Sequence, residues 1–246
     1  MFPVADTAPA PTGALATRLL ILANALVFLL ELALPEEVRE EFFYLFGIVP
    51  ARFTHPRWAE WVGFPVDTYW PFLTYMFLHG GWIHILGNMW TLWIFGDNVE
   101  ARLGSLRFVF FYLFCGLCAA LVHMETNPDS TLPTVGASGA IAGVMGAYFV
   151  WFPRARIILL VPIFFFPFFF EVPAFFYLGF WALSQWFSGS LALASPTEVG
   201  GIAWWAHVGG FIAGATACWV FRIGKPKTRP LQPDEMAHLW AWHSRR

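Results

Sequence analysis

Charge is what this chain has least of: Asp, Glu, Lys and Arg make up 12% of its 246 residues, against roughly 25% in a soluble domain. Hydrophobic residues reach 58% and aromatic residues 20%. A soluble fold cannot hide that much apolar surface, so the composition excludes an ordinary globular protein. The net charge of −2 suggests no nucleic-acid partner, and there is no basic amphipathic helix. Cysteine is scarce too. Cys115, Cys118 and Cys218 each fall within an apolar run, where a thiol behaves as a small buried hydrophobe. The Cys115-x-x-Cys118 pair lacks the polar flanks and βαβ setting of a redox motif. The histidines stand on different elements without ligand-rich spacing, so neither a metal nor a cofactor is expected.

What the chain has in quantity is long apolar runs. Residues 1–16, rich in Pro, Ala and Thr, read as a disordered cytoplasmic N-terminus. Thr17–Leu34 is apolar apart from Arg18, Asn24 and Glu31 and is long enough to cross a bilayer. Pro35–Leu78 mixes acidic residues, four prolines after Val49 and many aromatics, which suits an interfacial first loop with short helices. Further spans are expected over Trp82–Phe95, Leu106–Val122, from Ser138 to Pro153, over Pro173–Phe187 and over Gly201–Phe221. Pro162, Pro167 and Pro173 interrupt the run from Ile157, so its Phe-rich first part reads as interfacial or hairpin-like. Ser188–Gly200 reads as a loop, and residues 223–246 as a polar, basic cytoplasmic tail. The expected fold is therefore an all-α polytopic membrane protein, a bundle of six transmembrane helices over residues 17–222.

Six spans put both termini on one side. Of the 14 Lys and Arg residues, only Arg39, Arg52 and Arg57 fall on the other side, so both ends are expected in the cytoplasm. Spans two, four and six then run from outside to inside. Measured back from Arg102, Arg154 and Arg222 at about 1.5 Å per residue, His84, Asn88, Ser138 and His207 all lie roughly 21–27 Å up. Polar side chains from three spans converge on one plane, a few ångströms below the outer surface.

Close approach is also written in. The fourth span carries Gly139 and Gly143, and the sixth carries Gly210 and Gly214, small residues at the spacing that lets backbones nest in lipid. Each polar residue alone has a structural reading: a serine near a helix end bonds back to its own helix, and a transmembrane His or Asn glues helices together. The conjunction argues for more. A neutral His207 can take the proton of Ser138 and activate it for attack on a carbonyl. The first N–H groups of the fourth span, Ser138's among them, favour a developing oxyanion, with His84 and Asn88 as further donors. No carboxylate lies near that depth on the second or fourth span, so a dyad is expected, its histidine oriented by packing or by an aromatic neighbour.

Three segments, His79-Gly80-Gly81-Trp82-Ile83-His84 through Asn88, Gly136-Ala137-Ser138-Gly139, and Ala206-His207 through Gly210 to Gly214, resemble the signature segments of the rhomboid intramembrane serine proteases. Order and spacing match over roughly Thr17–Phe221. The resemblance implies a six-helix rhomboid-like bundle that cleaves other membrane proteins in or near their transmembrane segments, within the lipid bilayer. It makes Ser138 the nucleophile and His207 the base, gives His84, Asn88 and the Ser138 N–H to the oxyanion hole, and sets His79 at the site's outer edge. Gly136, Gly139, Gly143, Gly210 and Gly214 become supporting residues. It also points to a bacterial inner membrane as the location. Where many members have Trp-Arg in the first loop, this chain has Trp70-Pro71, so the arginine contacts of that loop do not carry over. The alternative, a non-hydrolytic rhomboid-like factor that binds membrane proteins, is a kind that lacks the Ser or the His, and both are present here.

Overall fold

A computed structural model describes residues 2–9, 13–65, 67–164, 166–194 and 202–224. The chain opens with β1 (Phe2–Asp6) and the long α1 (Leu15–Ala33). Four short helices follow: α2 (Glu36–Phe46), α3 (Pro50–Thr54), α4 (Pro56–Trp61) and α5 (Pro71–Thr74). Beyond a 3-10 turn at Tyr75–Phe77 come α6 (Trp82–Leu103), α7 (Ser105–Thr126) and α8 (Ser138–Trp151). A hairpin of β2 (Arg156–Ile163) and β3 (Phe166–Pro173) then leads into α9 (Ala174–Ala194) and α10 (Trp204–Arg222).

By length and composition, α1 and α7 are the two described helices apolar enough to cross a bilayer. The six-span expectation reaches further than that count. α8 is apolar but has only 14 residues, about 21 Å. It can be short because it is an inner helix: every residue from Gly139 to Tyr148 is buried, with α6, α7 and α10 packed around it. A short central helix leaves its N-terminus recessed from the bundle's surface.

Glycine sets the α8–α10 contact. A Cβ built at Gly210 would meet the carbonyl of Gly139, and one at Gly214 the carbonyl of Gly143. Both neighbours are backbone, so the two helices touch along their main chains, as small residues permit in lipid. At the opposite end of α6, the Glu100 carboxylate accepts from the N–H groups of Ala16 and Thr17 at 2.9 and 2.8 Å and from the Ser105 hydroxyl at 2.6 Å. The first N–H groups of a helix have no carbonyl in their own turn, and here an acidic side chain from α6 closes the start of α1.

Two expectations are corrected at this level. The bundle is not purely helical, because β1, β2 and β3 form an antiparallel sheet in that order. Nor is the described part of the N-terminus a disordered lead-in: Phe2 pairs with Leu160 and Asp6 with Ile157. The cause is local chemistry. Pro162 and Pro167 face each other across the hairpin, in a run of β-branched and aromatic residues where prolines forbid a helix. β3 takes one edge of β2, and β1 takes the other. The indole N–H of Trp90 donates to the Pro3 carbonyl at 2.6 Å, and Asn98 Nδ2 donates to Asp6 Oδ2 at 2.9 Å, fastening β1 along α6. The sheet thereby bridges α6 and α9.

α9 is also longer than the expected span, running on to Ala194, so the first part of the expected Ser188–Gly200 loop is helical. Residues 195–201 and the expected tail from residue 225 lie outside the described residues. In the first loop, Arg52 does the holding: its guanidinium donates to the carbonyls of Leu45 (3.1 Å) and Pro65 (3.4 Å) and to the Thr68 hydroxyl. Trp70 Nε1 donates to the same Leu45 carbonyl at 3.2 Å, which ties the Trp70-Pro71 step to the end of α2.

Candidate active site

Ser138 is the first residue of α8, and the loop before it is pinned at several points. The Gly136 N–H donates to the Tyr75 carbonyl at 2.8 Å. The Tyr75 hydroxyl in turn donates to the Gly116 carbonyl on α7 at 2.6 Å. Thr134 pairs with Ile48 in a β-bridge, and its hydroxyl lies 2.8 Å from His123 Nε2. Gly136 itself has φ +130°, a conformation that side-chain-bearing residues avoid. The serine is therefore delivered by a rigid turn.

The backbone contact of α8 with α10 brings His207 to it. His207 Nε2 lies 2.8 Å from Ser138 Oγ. Both residues are half-buried. The other face of the imidazole is held from α9, where Gln185 Oε1 lies 2.7 Å from His207 Nδ1, and the Trp181 ring packs at 5.9 Å between centroids, tilted 33°. A shallow cavity of about 240 Å³ between α9 and α10 opens beside this cluster, lined among others by Trp181, Gln185, His207 and Phe211.

A further helix of the site is α6. A Cβ added to Gly136 would come within 2.7 Å of His84 Nε2 and 3.7 Å of Asn88 Nδ2. Those two donors thus line the space directly against the turn that carries Ser138. One hydrogen of the Asn88 amide goes to His79 Nε2 at 3.0 Å; the second is free to serve a ligand. His79 lies ahead of α6 and is buried to 1% exposure. Burial, with His84 beside it, pushes its imidazole down to about 4, so the ring is neutral and Nε2 keeps its lone pair. The His79 Nδ1–H faces the Phe77 carbonyl at 3.3 Å. Its backbone N–H donates to Glu31 on α1 at 3.1 and 3.3 Å to the two oxygens.

The structure thus gathers Ser138, His207, His84, Asn88, Gly136 and His79 around one point, with Gly139, Gly143, Gly210 and Gly214 in the helix contact below it. Two neighbours escaped the sequence reading. Gln185 is the lone amide of α9, which has no charged residue, and an isolated polar group in an apolar span is a signal in itself. Glu31 is 1% exposed near the end of α1, and its partner is a backbone N–H, which no side-chain pattern announces.

Comparison with known proteins identifies the family. A family model described as a Rhomboid domain matches residues 66–223, well over half of the chain. Rhomboid protein 1, mitochondrial, of Saccharomyces cerevisiae is 30% identical over 162 residues, covering 63% of this chain and 43% of that protein. Rhomboid-like protein 11, chloroplastic, of Arabidopsis thaliana is 32% identical over 124 residues, 50% of this chain and 40% of that protein. Rhomboid protease GluP of Bacillus subtilis is 39% identical over 79 residues, 32% of this chain and 15% of that protein. The matches span less than half the length of each of these relatives.

The fold and these matches define an integral membrane protein of a family in which relatives are named as proteases. The chain belongs to the rhomboid family. With mitochondrial and chloroplastic proteins among the relatives, the expected bacterial inner membrane has no support from the comparisons.

Proposed function

We propose that this chain is a serine endopeptidase that hydrolyses peptide bonds in or near the transmembrane segments of other membrane proteins, with Ser138 as nucleophile and His207 as base. The reading takes α1 and α6–α10 as six spans of one membrane domain over residues 17–222, with both termini cytoplasmic. The observation that carries it is the 2.8 Å approach of Ser138 Oγ to His207 Nε2 across two helices, beside a glycine turn flanked by unspent donors.

In the first step Ser138 Oγ bonds to the substrate carbonyl carbon while its proton passes to His207 Nε2. Negative charge moves to the carbonyl oxygen. The Ser138 N–H at the start of α8, the second Asn88 hydrogen and the His84 ring are positioned to receive it. His207 then returns the proton to the departing amide nitrogen, the C–N bond breaks, and an ester to Ser138 remains. Water, deprotonated by the same imidazole, cleaves the ester and regenerates the hydroxyl. A helical substrate must unwind locally to present its amide, so small or helix-weakening residues are expected near the cut bond.

A panel of single-span substrates incubated with the purified protein tests this, with the cut mapped by mass and a fluorophosphonate probe reporting the nucleophile. Cleavage and labelling that vanish in Ser138→Ala support the reading. A wild type that labels no more than Ser138→Ala would remove it. In the same assay Asn88→Ala is expected to lower kcat by roughly 10²–10³-fold, the usual cost of one oxyanion donor. KM should change little, because that donor acts on charge that exists only in the transition state.

A further inference from the structure

The hydrogen bonds around His207 have a polarity that can be read from one end to the other. The Trp181 carbonyl can only accept, so the Ser184 hydroxyl, 2.6 Å away, spends its hydrogen there. Ser184 Oγ is then an acceptor for Gln185 Nε2 at 3.1 Å, and this fixes which end of the Gln185 amide faces α10. The oxygen faces it, and Oε1 can only accept. His207 Nδ1, at 2.7 Å, must therefore carry the ring hydrogen. A neutral imidazole has one, so Nε2 is left as an acceptor, pointed at the Ser138 hydroxyl at 2.8 Å. Reversing the amide would reverse the ring: Nδ1 would become the acceptor and Nε2–H would face Ser138, where it is useless as a base.

We infer that Gln185, locked by Ser184, is the positioning residue that sets the tautomer of His207 and so leaves Nε2 as the base. This rests on the reading of Ser138 and His207 as a catalytic dyad. Gln185 stands where a carboxylate stands in many serine hydrolases, but it brings direction without charge. The other titratable groups that act on His207 are His84 on α6 and His123 on α7. Among the described residues, no carboxylate bonds to its ring.

The test uses the full-length protein in lipid vesicles and a cleavable single-span substrate, with melting temperature recorded for each variant. Gln185→Leu is expected to lower kcat on the order of 10²-fold, less than the ~10⁴ that follows loss of a carboxylate partner, with KM within about two-fold. Gln185→Glu is expected to recover at least about tenfold over the Leu variant and to move the acidic limb of the kcat/KM pH profile to higher pH, because a carboxylate stabilises the imidazolium. Ser184→Ala, which frees the amide to turn over, is expected to give a smaller loss of the same kind. A Leu variant that cuts at the wild-type rate overturns the inference. So does a Glu variant that matches the Leu variant in rate with an unmoved pH limb, since a merely structural contact would behave that way. If Ser138→Ala still cleaves, the dyad itself fails, a result distinct from both and fatal to this inference too.

Discussion

Replacing Ser138 by Ala, His207 by Ala, or both together is expected to lower kcat for a single-span substrate by the same factor, on the order of 10⁴–10⁶. Residues that act as a unit do not contribute additively. Without His207 the Ser138 hydroxyl keeps its proton, and without Ser138 the imidazole has nothing to activate, so the second deletion removes nothing further. The residual rate over water would come from the backbone N–H of residue 138, His84 and Asn88, which neither substitution removes. Single-turnover cleavage by the three variants, at a substrate concentration well above KM, makes the comparison. A double variant far slower than either single one would mean that the two side chains act separately, and the 2.8 Å contact would lose its mechanistic meaning.

That contact was legible in the sequence because three kinds of information coincided. Depth below the outer surface followed from counting back to arginines, nesting of α8 and α10 followed from their glycines, and the chemistry followed from the residue types at the shared depth. None of the three depends on knowing long-range pairing. The features that were not legible do depend on it. β1 is a short N-terminal strand whose partner, β2, lies more than 150 residues on, and a Pro-Ala-Thr composition carries no mark of such pairing. The Phe-rich hairpin was half-read: its prolines excluded a helix, but the register of Pro162 against Pro167 belongs to the folded state. Gln185 was overlooked for a different reason. α9 has no cytoplasmic arginine near its polar residue and runs opposite to α8 and α10 in the six-span reading, so the depth count that aligned the other site residues was not applied to it.

The first loop is held together without an arginine beside Trp70. The Trp70 indole reaches the Leu45 carbonyl. The guanidinium that organises the loop comes from Arg52 instead, through three acceptors and the faces of Phe53 and Phe64 at 5.5 and 5.1 Å. A planar, permanently charged group with five donors suits such a hub. Pro71, freed from making contacts of that kind, sits at the first turn of α5, where its fixed φ and missing N–H cost nothing.

Substituting Val for Gly214 is expected to destabilise the fold by about 3 kcal/mol or more, at the upper end of overpacking effects, and to abolish cleavage. The added Cβ would lie 2.6 Å from Gly143 Cα, hard against that residue's carbonyl. A clash with a flexible side chain can be relieved by a rotamer change, whereas here the obstacle is the α8 main chain, itself enclosed by α6 and α7. The helices must separate, and separation acts directly on chemistry, because Ser138 and His207 sit just above the same contact and have no other route to each other. Gly87→Ala supplies the opposite sign. Its Cβ would meet nothing within 4 Å, and exchanging Gly for Ala inside α6 should stabilise that helix by up to about 1 kcal/mol. Thermal unfolding of the two variants in one detergent separates the cases. A Gly214→Val protein that melts like the wild type would mean that α8 and α10 do not touch through their backbones, and the positioning of the base by helix nesting would fail with it.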